Sequence, residues 1–227
     1  GAALVIVVST GVGCASLPPP PAERTVTQAL SDTGSTRLGQ AIAPQAAAHP
    51  ALSGVLALRD GRDAFAARVL LARSAERSLD VQYYIWRDDL TGVLLLDELR
   101  SAAARGVRVR LLLDDNNTAG LDPMLAALDA EPNIEIRLFN PFRTRAWRSL
   151  GFMFDFSRLN RRMHNKSFTA DNQATIVGGR NIGDEYFGAA GDVLFVDLDV
   201  LAVGPVVPQT SREFDRYWNS ASAYPVA

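Results

Sequence analysis

One lysine, one cysteine and two histidines are all that 227 residues contain of the side chains most often recruited as amine nucleophiles, disulfide partners and metal ligands. A lone cysteine, Cys14, excludes an internal disulfide. The paired carboxylates Asp114 and Asp115 have no histidine or cysteine nearby to complete a transition-metal site, so they read as loop or helix-capping residues. Excess charge of either sign is missing too. A formal net charge of −2 gives no global pull toward nucleic acid or an anionic bilayer. The apolar run at residues 2–8 is too short to span a membrane.

Every cation other than the lone lysine is an arginine. Lys166 stands two residues after His164 and five before Asp171, in His164-Asn165-Lys166-Ser167-Phe168-Thr169-Ala170-Asp171. An ammonium is a compact point charge with three donors, suited to gripping a phosphate oxygen. After Asp171 come six residues, Asn172 to Val177, and then Gly178-Gly179-Arg180-Asn181. Alternation over 166–170, a short apolar run at 174–177 and the Asp171-Asn172 pair between them predict two strands joined by a turn. Alternate side chains of a strand share a face, so His164 and Lys166 point the same way and can reach one anion. The two glycines remove side chains where a backbone approaches a phosphate, and Asn181 adds a donor without charge.

At these residues the chain resembles the phospholipase D superfamily, whose signature is H-x-K-x4-D followed at this distance by a Gly-Gly or Gly-Ser pair and an asparagine. The resemblance implies a two-step phosphoryl transfer without metal or cofactor. His164 is the matching nucleophile, forming a covalent phosphohistidine; Lys166, Gly179 and Asn181 hold the phosphate, and Asp171 supports the site through Lys166 or the turn. A predicted strand at 193–200, with Phe195-Val196-Asp197-Leu198-Asp199 and then Gly204-Pro205, resembles the segment that closes each half of such enzymes. It makes Asp197, ahead of Asp199, the candidate for holding the His164 tautomer. The family's proton donor is a second histidine in an equivalent motif across a pseudo-twofold axis. The remaining histidine here, His49, has no lysine or aspartate at motif spacing and reads as a linker residue. The chain is therefore expected to supply half of an active site and to be inactive alone. Its second motif would come from the C-terminal half of the same protein or from a homodimer partner.

Residues 1–17 read as a partial lipoprotein leader: the run at 2–8 suits a signal-peptide core, Gly11-Val12-Gly13 precedes Cys14, and Cys14 is the candidate lipidated residue. The absence of an initiator methionine adds the expectation that something preceded Gly1. Residues 18–55, rich in Pro, Ala, Ser and Thr, read as a linker. Residues 56–227 form the catalytic half-domain. Its predicted elements are helices at 61–77, 93–104, 121–130 and 211–218 and strands at 79–86, 107–113 and 133–139. That order implies an α/β fold, a mixed and mostly parallel sheet flanked by helices, as one half of a pseudo-twofold enzyme.

Gln82-Tyr83-Tyr84-Ile85-Trp86 together with Gly204-Pro205 looks most like bacterial cardiolipin synthases. The expected function is accordingly a phosphatidyltransferase or phospholipase, attached to the bacterial envelope and facing the periplasm, with a phospholipid and the membrane surface as partners. The basic and aromatic stretch at 143–162 is a candidate lipid contact. The alternatives are a phosphodiesterase on nucleic acid, which the near-neutral charge disfavours, and a non-catalytic envelope scaffold, which has no need of His164, Lys166 and Asn181 together.

Overall fold

The computed structural model describes residues 24–142, 159–191 and 194–226. Among these, eight strands form one sheet: β1 (Gly54–Leu58), β2 (Ser78–Tyr83), β3 (Arg108–Asp114), β4 (Ile134–Phe139), β5 (Ser167–Ala170), β6 (Ala174–Gly178), β7 (Asp199–Val203) and β8 (Ala223–Pro225). Their spatial order is β1-β7-β6-β5-β2-β3-β4-β8. Only β2–β3 and β3–β4 are parallel; the other five pairings are antiparallel. The mostly parallel sheet expected from the sequence is thus confined to one block. There helices α3 (Leu90–Ala104) and α4 (Asp122–Asp129) supply the long crossovers that parallel neighbours require, whereas β5 and β6 are joined by a turn too short for anything but a hairpin.

Strand β3 shows why both faces are covered. Val109, Leu111 and Leu113 enter a large core with residues of α2 (Gly61–Ser74), α3 and α4, while Leu112 joins Phe214 and Trp218 of α6 (Val206–Trp218), which follows the short α5 (Asp184–Phe187), on the opposite face. A strand buried on both sides reads as a continuous apolar run, as β3 does. The α6 face also buries charge. Arg110 bonds Asp80 at 2.7 Å and Asp215 at 2.8 Å and lies over the Phe214 ring; Arg137 lies 4.1 Å from the Trp218 ring centre.

Helix α2 starts where Asp60 accepts the N–H groups of Arg62 and Asp63. It stops at Ser74, short of the predicted Arg77, because the N–H groups of Glu76, Arg77 and Ser78 all turn to the Asp171 carboxylate.

The segment expected to be a linker differs most. Residues 24–33 run as an extended strap over α6 and the sheet. Arg24 donates to the carbonyls of Asn219, Ser220 and Ala223, Thr27 accepts from Arg110 and Trp218, and the Ala29 N–H meets Asp215. Next comes α1 (Arg37–Ala48), capped by Thr36 and packed on the core through Leu38 and Ile42. Its alanines favour helix strongly, which outweighs the internal Pro44. Cys14 and most of the 143–162 basic stretch lie outside the described residues.

Candidate active site

Strand β2 and the loop after it form one wall of the site, and the segment entering β5 forms the other. The β5 entry is pinned from behind by Asp114, whose carboxylate accepts from the Met163 N–H at 2.8 Å and from the Arg162 guanidinium at 3.0 Å. Burial raises the Asp114 pKa, and Arg162 with the two backbone donors works against that rise. Asp114 also accepts from the Asn116 N–H, so the predicted capping role holds, with anchoring of the next loop added to it. No sequence pattern signals that second role, because Asp114 and Met163 meet only through the fold.

Pinned in this way, His164 and Lys166 converge. Lys166 Nζ lies 3.3 Å from His164 Nδ1 and donates to the His164 carbonyl at 2.8 Å. They lie one (Lys166) and three (His164) residues ahead of regular pairing, since β5 begins at Ser167. His164 is exposed, Lys166 is largely buried, and Tyr84 lies against both, with its ring centre 4.3 Å from the imidazole and 5.7 Å from Nζ. Tyr84 falls within a stretch singled out only for its likeness to a family pattern. Its role as the floor of the site comes from β2 pairing with β5, where Gln82 faces Ser167.

Burial pushes the Lys166 ammonium below the ordinary lysine value, and the charges of Asp197 and Asp199 partly oppose that shift. The two aspartates differ in setting. Asp199 is fully buried, 2.9 Å from Arg68 and 3.6 Å from Arg180, and accepts from the Arg180 N–H. Asp197 is half-buried and accepts from the Leu198 N–H. The strand predicted at 193–200 is corrected: 194–198 are irregular and only Asp199–Val203 pair. The ladders of both neighbouring strands end at Asp199, opposite Leu58 and Gly178. Asp197 therefore hangs from a loop.

The glycine pair leaves room for two carboxylates. A Cβ on Gly178 would strike Asp199, and one on Gly179 would strike the Asp197 carboxylate. Asn181 holds the opposite wall: its side-chain oxygen accepts from the Ile85 N–H and its amide donates to the Tyr186 hydroxyl, each at 3.0 Å.

Asp171 sits at the far end of β5 from Lys166, fully buried, and with Asn172 it adopts the left-handed backbone these residues tolerate. Its carboxylate receives three backbone N–H groups, so it acts on the turn before β2 and makes no contact with Lys166. Asp171→Ala is expected to lower stability by about 3 kcal/mol in urea unfolding, through three orphaned donors, and to leave the Lys166 titration unchanged. His49 ends α1 as its C-cap. Among the described residues no three His, Cys, Asp or Glu side chains cluster to hold a metal ion, and no helix is long and apolar enough to cross a membrane.

A family model described as "Cardiolipin synthase, PLD-like domain" matches residues 70–218. The chain is 60% identical over 190 residues to cardiolipin synthase C of Escherichia coli, covering 84% of this chain and 40% of that protein. It is 30% identical over 167 residues to a cardiolipin synthase of Staphylococcus aureus, covering 71% of this chain and 31% of the relative. Each of these relatives thus extends well beyond the aligned part. Two solved structures share the fold at 16% identity. Phosphatidylserine synthase of Haemophilus influenzae superposes with a TM-score of 0.58 over 76% of this chain and 38% of that one. NucT of Helicobacter pylori superposes at 0.56 over 76% and 97%. With a family match over most of its 227 residues and the sheet of that fold, the chain belongs to the cardiolipin synthase-type phospholipase D-like domain family.

Proposed function

We propose that this chain carries the nucleophilic half of a phosphatidyltransferase, in which His164 attacks the phosphorus of a phospholipid and Lys166 holds a non-bridging oxygen. One observation carries the reading: a lone ammonium held 3.3 Å from an exposed imidazole nitrogen, so both can meet one phosphate. The relative named cardiolipin synthase C, at 60% identity, supports the substrate class. In the first step the imidazole lone pair forms the P–N bond while the P–O bond to the leaving alcohol breaks. The alcohol leaves with a proton from the second motif's histidine, supplied by the C-terminal half or a partner copy. In the second step an acceptor hydroxyl gives its proton back to that histidine and displaces His164, restoring the neutral imidazole.

Lys166 can donate to Nδ1 only when Nδ1 bears no proton. A phosphate oxygen that draws the ammonium away frees Nδ1 to hold the proton, leaving Nε2 as the nucleophile. Asp197, the half-buried charge acting on Lys166, is the candidate acceptor for that Nδ1–H, while Gly179 and Asn181 border the phosphate. Residues 1–17 act as the leader and Cys14 as the lipid attachment point, which places the enzyme at the bacterial envelope.

The test is to trap a labelled, acid-labile phosphoenzyme from phosphatidylglycerol in the complete two-motif protein and map it to His164. Labelling from DNA alone, or a label on another residue, would overturn the reading. Because the ammonium form is the one required, trapping is expected to fade as pH rises through a value below the ordinary lysine 10.5. Lys166→Gln is expected to slow trapping by about 10²–10³-fold. A rate flat across that alkaline range would remove Lys166 from the phosphate.

A further inference from the structure

Beside Tyr186, whose hydroxyl accepts from Asn181, the surface folds into a cavity of about 360 Å³. Three arginines, Arg59, Arg62 and Arg180, line it together with Tyr186, Phe195 and Val196. Among the described residues, neither the Arg59 nor the Arg62 guanidinium has a carboxylate partner. The acid on the rim, Asp60, caps the start of α2 and offsets only one of the three charges. Arg180 is almost fully buried. Its terminal nitrogens reach the carbonyls of Leu58 and Arg59, but its Nε, also buried, has no acceptor. Asp199 cannot neutralise Arg180 alone, because Arg68 shares it. The cavity is therefore cationic and short of acceptors, which a buried guanidinium tolerates poorly.

Its other wall is apolar and open to solvent. Leu194, Phe195 and Val196 are 64%, 46% and 94% exposed, and the Phe195 ring meets Tyr186 edge-on at 5.2 Å. Cationic donors beside uncovered hydrocarbon fit an amphiphilic anion better than a free ion.

We infer that this cavity binds the phosphate of an anionic phospholipid, with the glycerol and acyl ends against Leu194–Val196. This second lipid sits one tyrosine away from Asn181 and is distinct from the one that His164 attacks. The inference rests on the phospholipid reading above and adds a site to it.

Vesicle sedimentation of the full chain tests it, using phosphatidylglycerol–phosphatidylcholine and pure phosphatidylcholine vesicles. Arg59→Gln/Arg62→Gln is expected to weaken binding to the anionic vesicles by about tenfold or more, with no change on the neutral ones. The control pair Arg212→Gln/Arg216→Gln, equal in charge and exposed on α6, is expected to bind as the unsubstituted chain. Equal weakening by both pairs would mean generic charge attraction and would overturn the site, as would no effect of Arg59→Gln/Arg62→Gln. Soluble glycerol phosphate separates the sources: binding as tight as that of the vesicles would assign the cavity to a free phosphate ester and overturn the lipid assignment. Loss of trapped phosphohistidine with arginine-dependent vesicle binding intact would sink the earlier proposal while supporting this one.

Discussion

Replacing His164 with alanine in the complete protein is expected to lower turnover on the order of 10⁵-fold, with the melting temperature essentially unchanged. The size follows from the proposed role: a covalent nucleophile has no substitute in its first step, and removing such a group elsewhere costs most of the chemical acceleration. The unchanged stability follows from the setting. His164 is exposed, its backbone carbonyl keeps its bond to Lys166, and the side chain gives up only the Tyr84 ring contact and a weak contact with Nζ. Surface changes of that kind rarely move stability by more than about 0.5 kcal/mol. Activity assays paired with thermal unfolding therefore separate chemistry from folding. Retained turnover would end the nucleophile assignment, whereas a parallel loss of stability would show that the imidazole is a packing element.

Asp199→Ala is expected to behave in the opposite way, costing about 3–5 kcal/mol of stability, or roughly 10 °C in melting temperature for a chain of this size. Asp199 faces two guanidiniums, Arg68 and Arg180, each nearly inaccessible to water. Arg68 also donates to the Tyr83 hydroxyl at 2.8 Å, and burial raises the Tyr83 pKa. The phenol therefore stays neutral and cannot replace the lost carboxylate. Asp199→Asn, which keeps the shape, is expected to lose less. In a double-mutant cycle, Arg68→Met with Asp199→Ala should cost clearly less than the sum of the single changes. Additive losses would mean that the pair is not coupled. Since Gly178 exists to admit this carboxylate, Gly178→Ala is expected to share the defect.

The contrast between these two residues reflects how far each was legible. The convergence of His164 and Lys166 is legible in residue type and spacing, because one extended segment delivers both. Strand β3, α3 and α4 were equally plain, since periodic apolar residues record the faces they bury. The antiparallel remainder of the sheet was not, because β1 and β7 pair across a separation of about 145 residues that no local pattern encodes. Asp171 shows a different limit. Its place in the motif suggests partnership with Lys166, yet its carboxylate turns to the backbone of residues 76–78, which meet it only after β2 and β5 align. The alanines of α1 count toward a linker when read by composition beside the proline run that precedes them, although alanine itself favours helix.

The strap also sets a distance. Arg24 is clamped by three carbonyls at the junction of α6 and β8. If Cys14 bears the acyl chains, ten residue-to-residue steps separate lipid and clamp, a leash of at most about 35 Å when drawn straight. That corner of the protein would then never drift farther than one small-domain width from the bilayer, and the enzyme would search for substrate in two dimensions.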